Sequence, residues 1–301
     1  MVYTVTFNPA MDYVMKTDKL ELGQTNRSKE EYFVAGGKGI NVSIVLNRLG
    51  EATCALGFVA GFTGEQIEKL VKEEGCKTGF IRLKDGMSRI NVKLKMDKET
   101  EINAAGPDIS SDALERLYEQ IKCIGDDDVL VLAGNVPSTV SKNIYSHILS
   151  LLMGRKTKTV VDASGELLTN ALRYRPFLVK PNRSELEEIY NVKITGMQTA
   201  AQYGRRLQKD GARNVLVSMG GDGAVLICED GKVYKGEVMG GPPINTVGAG
   251  DSMIAGFIYE YMRSHDYSKA LRMGLCAGGA TAESEYLATG EAIRRLYNWG
   301  K

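Results

Sequence analysis

Thr246-Val247-Gly248-Ala249-Gly250-Asp251 sets two glycines and an alanine just before a long apolar helical stretch that begins at Met253. Small residues at a helix start leave backbone N–H groups uncovered, and the positive end of the helix dipole adds to them. The segment therefore reads as an anion cradle. The aspartate beside it can take a proton from a nucleophile attacking the bound anion. A proton acceptor beside an anion site is the pairing that phosphoryl transfer requires.

Three further segments have types and spacing that could serve the same chemistry. Gly36-Gly37-Lys38-Gly39-Ile40-Asn41 also precedes a helix and adds a full positive charge; the same glycines equally suit a tight strand-to-helix turn. In Lys180-Pro181-Asn182-Arg183-Ser184-Glu185 an amide and a carboxylate stand three apart at a helix start. That pair suits a hydrated Mg²⁺, and it also matches a capping box. Ser218-Met219-Gly220-Gly221-Asp222-Gly223-Ala224 follows a strand, where open α/β sheets bind ligands. A glycine-rich hairpin turn is its local alternative.

Other chemistries find little to work with. There is no G-x-x-x-x-G-K-[S/T] and no G-x-G-x-x-G, so a bound nucleotide must be held by another design. His147 and His265 are the only histidines, each in a helix-like stretch with no acid–nucleophile context, so a carboxylate is the expected base. The run Asp126-Asp127-Asp128 reads as a solvated turn before a strand. Cys54, Cys76, Cys123, Cys228 and Cys276 are odd in number and widely spaced, which fits free thiols in a reducing cytoplasm. With 38 basic and 37 acidic residues the net charge is +1, leaving no basic field for nucleic acid or a membrane surface. No apolar run approaches the ~20 residues of a membrane span. The N-terminus reads as a strand, not a signal peptide, and a cytoplasmic location is expected.

The elements that must position these residues follow from periodicity. Val2–Phe7 alternates as a strand, Gly39–Leu49 reads as a helix, and Ala52–Val59 reads as a buried strand. From Ser110 onward, helices (Asp112–Ile124, Ser138–Met153) alternate with short apolar strands (Val129–Ala133, Thr159–Asp162, Phe177–Lys180, Asn214–Met219). That rhythm predicts a parallel sheet covered on both faces. Ala224–Cys228 and Lys232–Val238 read as a hairpin around Asp230-Gly231, and the chain is helical from Ala249. Two patches of one-sided strand, about 11–34 and 86–107, are expected to meet as a small lid on one α/β domain spanning 1–301. In the second, Ile90, Val92, Leu94 and Met96 alternate with Asn91, Lys93 and Lys95.

Taken in order, these segments resemble the ribokinase-like (PfkB-type) carbohydrate kinases over essentially the whole chain. The matching pieces are Asn8-Pro9-Ala10-Met11-Asp12, the Gly36–Asn41 loop, Lys180-Pro181-Asn182-x-x-Glu185, Ser218-x-Gly220-x-x-Gly223-Ala224 and Thr246–Ser252. Within the family the pattern is most like the sugar-phosphate branch of bacterial 1-phosphofructokinases, with tagatose-6-phosphate kinases next.

The resemblance implies a three-layer sandwich with a mainly parallel central sheet, a β-sheet lid that often mediates a homodimer, and ATP and Mg²⁺ as cofactors. It implies that Asp251 is the catalytic base, with N–H groups around Gly248, Ala249 and Gly250 stabilising the transferring phosphoryl group. Lys180, Asn182, Ser218, Met219, Gly220, Gly221, Asp222, Gly223, Thr246, Gly248 and Gly250 would bind ATP. Asn182 and Glu185 would organise Mg²⁺ through water. Asp12, Gly37, Lys38, Asn41, Arg89, Asn103 and Asp251 would hold a sugar phosphate, Arg89 gripping its existing phosphate from the lid.

Departures from the pattern bear on the acceptor. Ala104-Ala105 stands where a glycine-bearing pair is common. In the minor 6-phosphofructokinase a basic residue in this region helps hold a 6-phosphate; the position here is not basic, which favours fructose 1-phosphate. Gly134-Asn135-Val136-Pro137 replaces a common Gly-Ser-Leu-Pro, and Glu283-Ser284-Glu285-Tyr286 is unusual beside the small-residue wall Ala277–Ala280 expected near the adenine. The expected reaction is ATP-dependent phosphorylation of D-fructose 1-phosphate, with D-tagatose 6-phosphate as the alternative acceptor.

Overall fold

The computed structural model describes residues 1–96 and 99–299; residues 97 and 98, inside the second lid patch, and residues 300 and 301 lie outside the described residues. The strands in chain order are β1 (Val2–Thr6), β2 (Ala10–Lys16), β3 (Glu30–Gly36), β4 (Thr53–Val59), β5 (Lys77–Arg82), β6 (Arg89–Lys95), β7 (Thr100–Asn103), β8 (Val129–Ala133), β9 (Lys158–Asp162), β10 (Leu178–Val179), β11 (Asn214–Ser218), β12 (Ala224–Ile227) and β13 (Val233–Gly236). The helices are α1 (Lys38–Arg48), α2 (Gly61–Glu73), α3 (Ser111–Lys122), α4 (Ile144–Ser150), α5 (Gly165–Ala171), α6 (Arg183–Tyr190), α7 (Met197–Lys209), α8 (Ala249–Ser264), α9 (Tyr267–Ala282) and α10 (Gly290–Asn298).

Nine strands form one sheet in the order β13-β12-β11-β10-β9-β8-β1-β4-β5, parallel from β11 to β5 and antiparallel at the β12–β13 end. Alternation along the buried strands feeds two cores. Val160 and Leu178 face the side covered by α1, α2, α8, α9 and α10, where Ile40, Ile67, Phe257, Cys276 and Ile293 pack. Val161 and Val179 face the other, with Leu117, Ile148, Leu168, Leu186 and Leu207 from α3 to α7. This is the expected three-layer arrangement.

The two outlying patches do meet. β3, β2, β6 and β7 form a second sheet in that order. β2 pairs parallel with β6, whereas β2–β3 and β6–β7 are antiparallel. The parallel joint arises because β2 and β6 both leave the body in the same direction.

Three local readings change. β5 was not expected: its Lys-Thr-Gly-Phe-Ile-Arg sequence is only partly buried because it is the sheet's edge. The expected helix 138–153 is α-helical only over Ile144–Ser150; ahead of it the backbone makes three-residue turns, Val140 N–H to Pro137 O and Ile144 N–H to Ser141 O, both 3.0 Å. Ser141 Oγ also accepts the Asn143 N–H at 3.2 Å, so side-chain oxygen competes with the helix there. Finally, α8 begins at Ala249, ahead of Met253, which puts Asp251 in its first turn.

Candidate active site

A cavity of about 650 Å³ opens where the lid sheet faces the carboxyl ends of β9, β10 and β11. The anion loop forms one wall. Gly248 caps α8 with φ of +79°, and a Cβ there would come within 2.6 Å of Leu287 Cδ2, so both backbone and space require glycine. Ser252 N–H closes the first helical bond on Gly248 O at 2.8 Å. Among the described residues, no protein acceptor meets the N–H of Gly248, Gly250 or Asp251. One expected donor is corrected: the Ala249 N–H is spent on Thr246 O at 3.2 Å, because the turn into α8 is tight.

Asp251 lines this cavity and is 5% exposed. Its Oδ2 accepts a hydrogen bond from Asn41 Nδ2 at 2.8 Å. Burial raises its pKa, the charge on Asp162 adds to that, and Lys38, the Asn41 bond and Lys180 oppose it; the result is about 6. A carboxylate poised there is a competent base near neutral pH.

Asp162, at the end of β9, was not singled out from sequence. It is fully buried and meets Lys38 Nζ at 3.2 Å and Lys180 Nζ at 3.3 Å. Burial works to raise its pKa, but the two ammonium groups outweigh that and hold it below the ordinary carboxylate range. Burial likewise disfavours charge on Lys38, yet Asp162, Asp251 and Glu185 together raise its pKa above the usual value. A Cβ built on Gly250 would stand 3.2 Å from Lys180 Nζ, so that ammonium overlies the anion loop.

Across the cavity, the lid presents a polar row. Register pairs Asp12 with Asn91 and Asn91 with Asn103, and Asn91 Nδ2 donates to Asp12 Oδ1 at 2.9 Å. Arg89, Asn91 and Lys93 alternate along β6, share one face, and all line the cavity. Lys93 Nζ lies 3.1 Å from Asp12 and 3.5 Å from Glu101; these charges outweigh burial and raise its pKa. Burial lowers the pKa of Arg89, against the pull of Asp12, and its Nε donates to Asn8 O at 3.2 Å. Gly36 makes room for Asp12, whose carboxylate carbon would be 2.6 Å from any Cβ there.

Most sequence-derived residues converge on this cavity: Asp12, Gly37, Lys38, Asn41, Arg89 and Asn103 on the lid side; Lys180, Asn182, Ser218, Gly220, Gly221 and Gly223 beyond; Thr246 through Asp251 between. Three do not line it. The Met219 side chain is buried in the core beneath the turn. Asp222 turns outward to pair with Arg183. Glu185 accepts the Asn182 N–H at 2.8 Å while Asn182 Oδ1 accepts the Glu185 N–H at 2.9 Å, a complete capping box. Asp162, Asn91, Lys93 and Glu101 were missed. An acid ending a buried parallel strand was the available sign for Asp162.

The pfkB family carbohydrate kinase model matches residues 4–293. This chain belongs to that family. The pfkB kinase is 43% identical over 296 residues to a 1-phosphofructokinase from Bacillus subtilis, covering 98% of this chain and 97% of the relative. It is 35% identical over 288 residues to a D-tagatose-1-phosphate kinase from Bacillus licheniformis, covering 95% and 94%. Its fold matches the crystal structure of phosphofructokinase-2 from Escherichia coli in complex with substrates and products, with a TM-score of 0.93, 26% identity, and coverage of 99% and 98%. The pfkB kinase is thus a phosphotransferase with an alcohol acceptor on a ribokinase-like fold. Among its described residues no helix is long and apolar enough to cross a membrane.

Proposed function

We propose that this kinase transfers the γ-phosphoryl group of ATP to the C6 hydroxyl of D-fructose 1-phosphate, yielding D-fructose 1,6-bisphosphate and ADP. The observation that carries the acceptor is the near full-length similarity to a 1-phosphofructokinase. The cavity supports the chemistry. The hydroxyl oxygen attacks the γ-phosphorus, the bond to the β,γ-bridging oxygen breaks, and Asp251 takes the hydroxyl proton. The free N–H groups of Gly248, Gly250 and Asp251 meet charge on the transferring group, where one lost donor typically costs ~10²–10³ in rate. Lys38 and Lys180 add positive charge from the side anchored by Asp162.

On the acceptor side, Arg89 supplies positive charge that a sugar phosphate needs, while Lys93 is balanced by Asp12 and Glu101. The buried carbonyl oxygen of Asn91 has no donor among the described residues and suits a sugar hydroxyl. Mg²⁺, when bound, would neutralise charge on the β- and γ-phosphates. Asn182 and Glu185 would hold it through water, since Glu185 Oε1 remains outside the capping box. Ser218, Gly220, Gly221 and Gly223 would line the nucleotide half, with Met219 and Asp222 supporting the turn from behind. The five free cysteines suit the reducing cytoplasm.

The D-tagatose-1-phosphate kinase relative favours a second acceptor, D-tagatose 1-phosphate, which carries its phosphate at the same end as fructose 1-phosphate. D-Tagatose 6-phosphate, the alternative read from sequence, carries it at the other end. A coupled ADP-release assay across these three sugars and D-fructose 6-phosphate tests the reading. The expected result is the highest kcat/KM for D-fructose 1-phosphate; preference for either 6-phosphate would overturn it.

The lid also supports a homodimer. Its outer face aligns Phe33, Tyr13, Val92 and Ile102 in one row across the four strands, opposite the Asp12 row. Phe33 is 45% and Ile102 62% exposed, a patch a second lid can cover.

A further inference from the structure

A second cavity, of about 300 Å³, lies at the opposite end of the central sheet from the catalytic one. Its floor is the amino ends of the same three strands that carry Asp162, Lys180 and Ser218 at their carboxyl ends: Thr159 in β9, Phe177 before β10 and Arg213 before β11. At ~3.3 Å per residue the two sites are separated by the sheet itself, so an occupant here is a separate molecule from those in the catalytic cavity.

Four arginines line it: Arg155, Arg173, Arg175 and Arg213. Arg213 is satisfied by a fork to Glu229 at 2.7 and 3.0 Å, and Arg155 donates to the carbonyls of Lys122 and Ile124. Arg173 and Arg175 are different. Among the described residues neither forms an ion pair within 4.0 Å; Arg173 overlies the Tyr174 ring, and Arg175, its backbone in the left-handed conformation at φ 51°, feels at longer range the Glu229 carboxylate that Arg213 already holds. The nearby acidic run does not answer them. Asp126 accepts the Lys156 N–H, and Asp128 holds the N-terminal ammonium and the Gly125 N–H.

A concavity lined by four arginines and no acidic residue, beside apolar Leu152, Met153 and Phe177, matches a small organic phosphate. We propose that this cavity binds a phosphorylated small molecule, with Arg173 and Arg175 gripping the phosphate.

The test uses inorganic pyrophosphate as probe in calorimetric titrations without Mg²⁺. The protein carries Arg89→Ala and is saturated with a non-hydrolysable ATP analogue, which suppresses binding in the catalytic cavity. The expected result is saturable binding that weakens at least tenfold, roughly the worth of one charged hydrogen bond, when Arg173→Ala and Arg175→Ala are added. Each single substitution is expected to give an intermediate loss. Both side chains are exposed, so R173A/R175A with native Arg89 should keep its melting temperature and its kinase kcat within about twofold. Absence of saturable binding before the two substitutions, or unchanged affinity after them, overturns the proposal.

Discussion

Asn41 Nδ2, in the first turn of α1, donates to Asp251 Oδ2, in the first turn of α8, at 2.8 Å across 210 residues of sequence. The bond ties the loop expected to hold the acceptor to the loop expected to hold the phosphoryl group. It also favours the ionised form of Asp251. Asn41→Ala should therefore raise the Asp251 pKa above about 6 and move the acid limb of kcat/KM to higher pH. A pH–rate profile of the variant checks this: the loss relative to the native enzyme should be greater at pH 6 than at pH 8.

The native profile follows from the same carboxylate. A base acts only when deprotonated, and Asp251 is held at about 6, so kcat/KM should fall as pH drops through that value and level off above it. Asp251→Asn should lose ~10²–10⁴-fold in kcat while calorimetric ATP binding stays near native. Native turnover in this variant would remove Asp251 from the mechanism.

Asp162 acts on Asp251 through charge. Asp162→Asn removes a negative charge that raises the Asp251 pKa and releases Lys38 and Lys180 from their ion pairs, so the acid limb should shift to lower pH. It also leaves the Lys180 ammonium buried without its partner, which should cost about 3–5 kcal/mol of stability. Urea unfolding measures the second effect and a pH–rate profile the first; an acid limb that moves upward contradicts the electrostatic account.

The apolar row on the outer lid face gives an assembly prediction. Phe33→Glu with Ile102→Glu places charge where a second lid would pack, while both side chains are solvent-exposed in the monomer. Sedimentation velocity should show a dimer for the native protein and a monomer for the variant, with an unchanged melting profile of the isolated chain. A native monomer sinks the lid dimer.

Much of this kinase was readable from local order alone. The Thr246–Asp251 cradle follows from helix-end physics within a few residues, and α8 begins where small residues expose those amides. The alternating helices and apolar strands from Ser110 onward indicated a sheet covered on both faces, because burial on both sides leaves no polar period. What tertiary structure decided is direction and company. Alternation in β6 marked a strand, but it could not say that the Arg89, Asn91 and Lys93 face looks into the site while Val92 joins the outer row. A period of two separates faces without naming which one meets water, a ligand or another chain. Asp162 was passed over for a related reason: its position at a strand end was legible, but its burial, its two lysine partners from α1 and from the end of β10, and the charge it sets near Asp251 arise only when the fold brings them together.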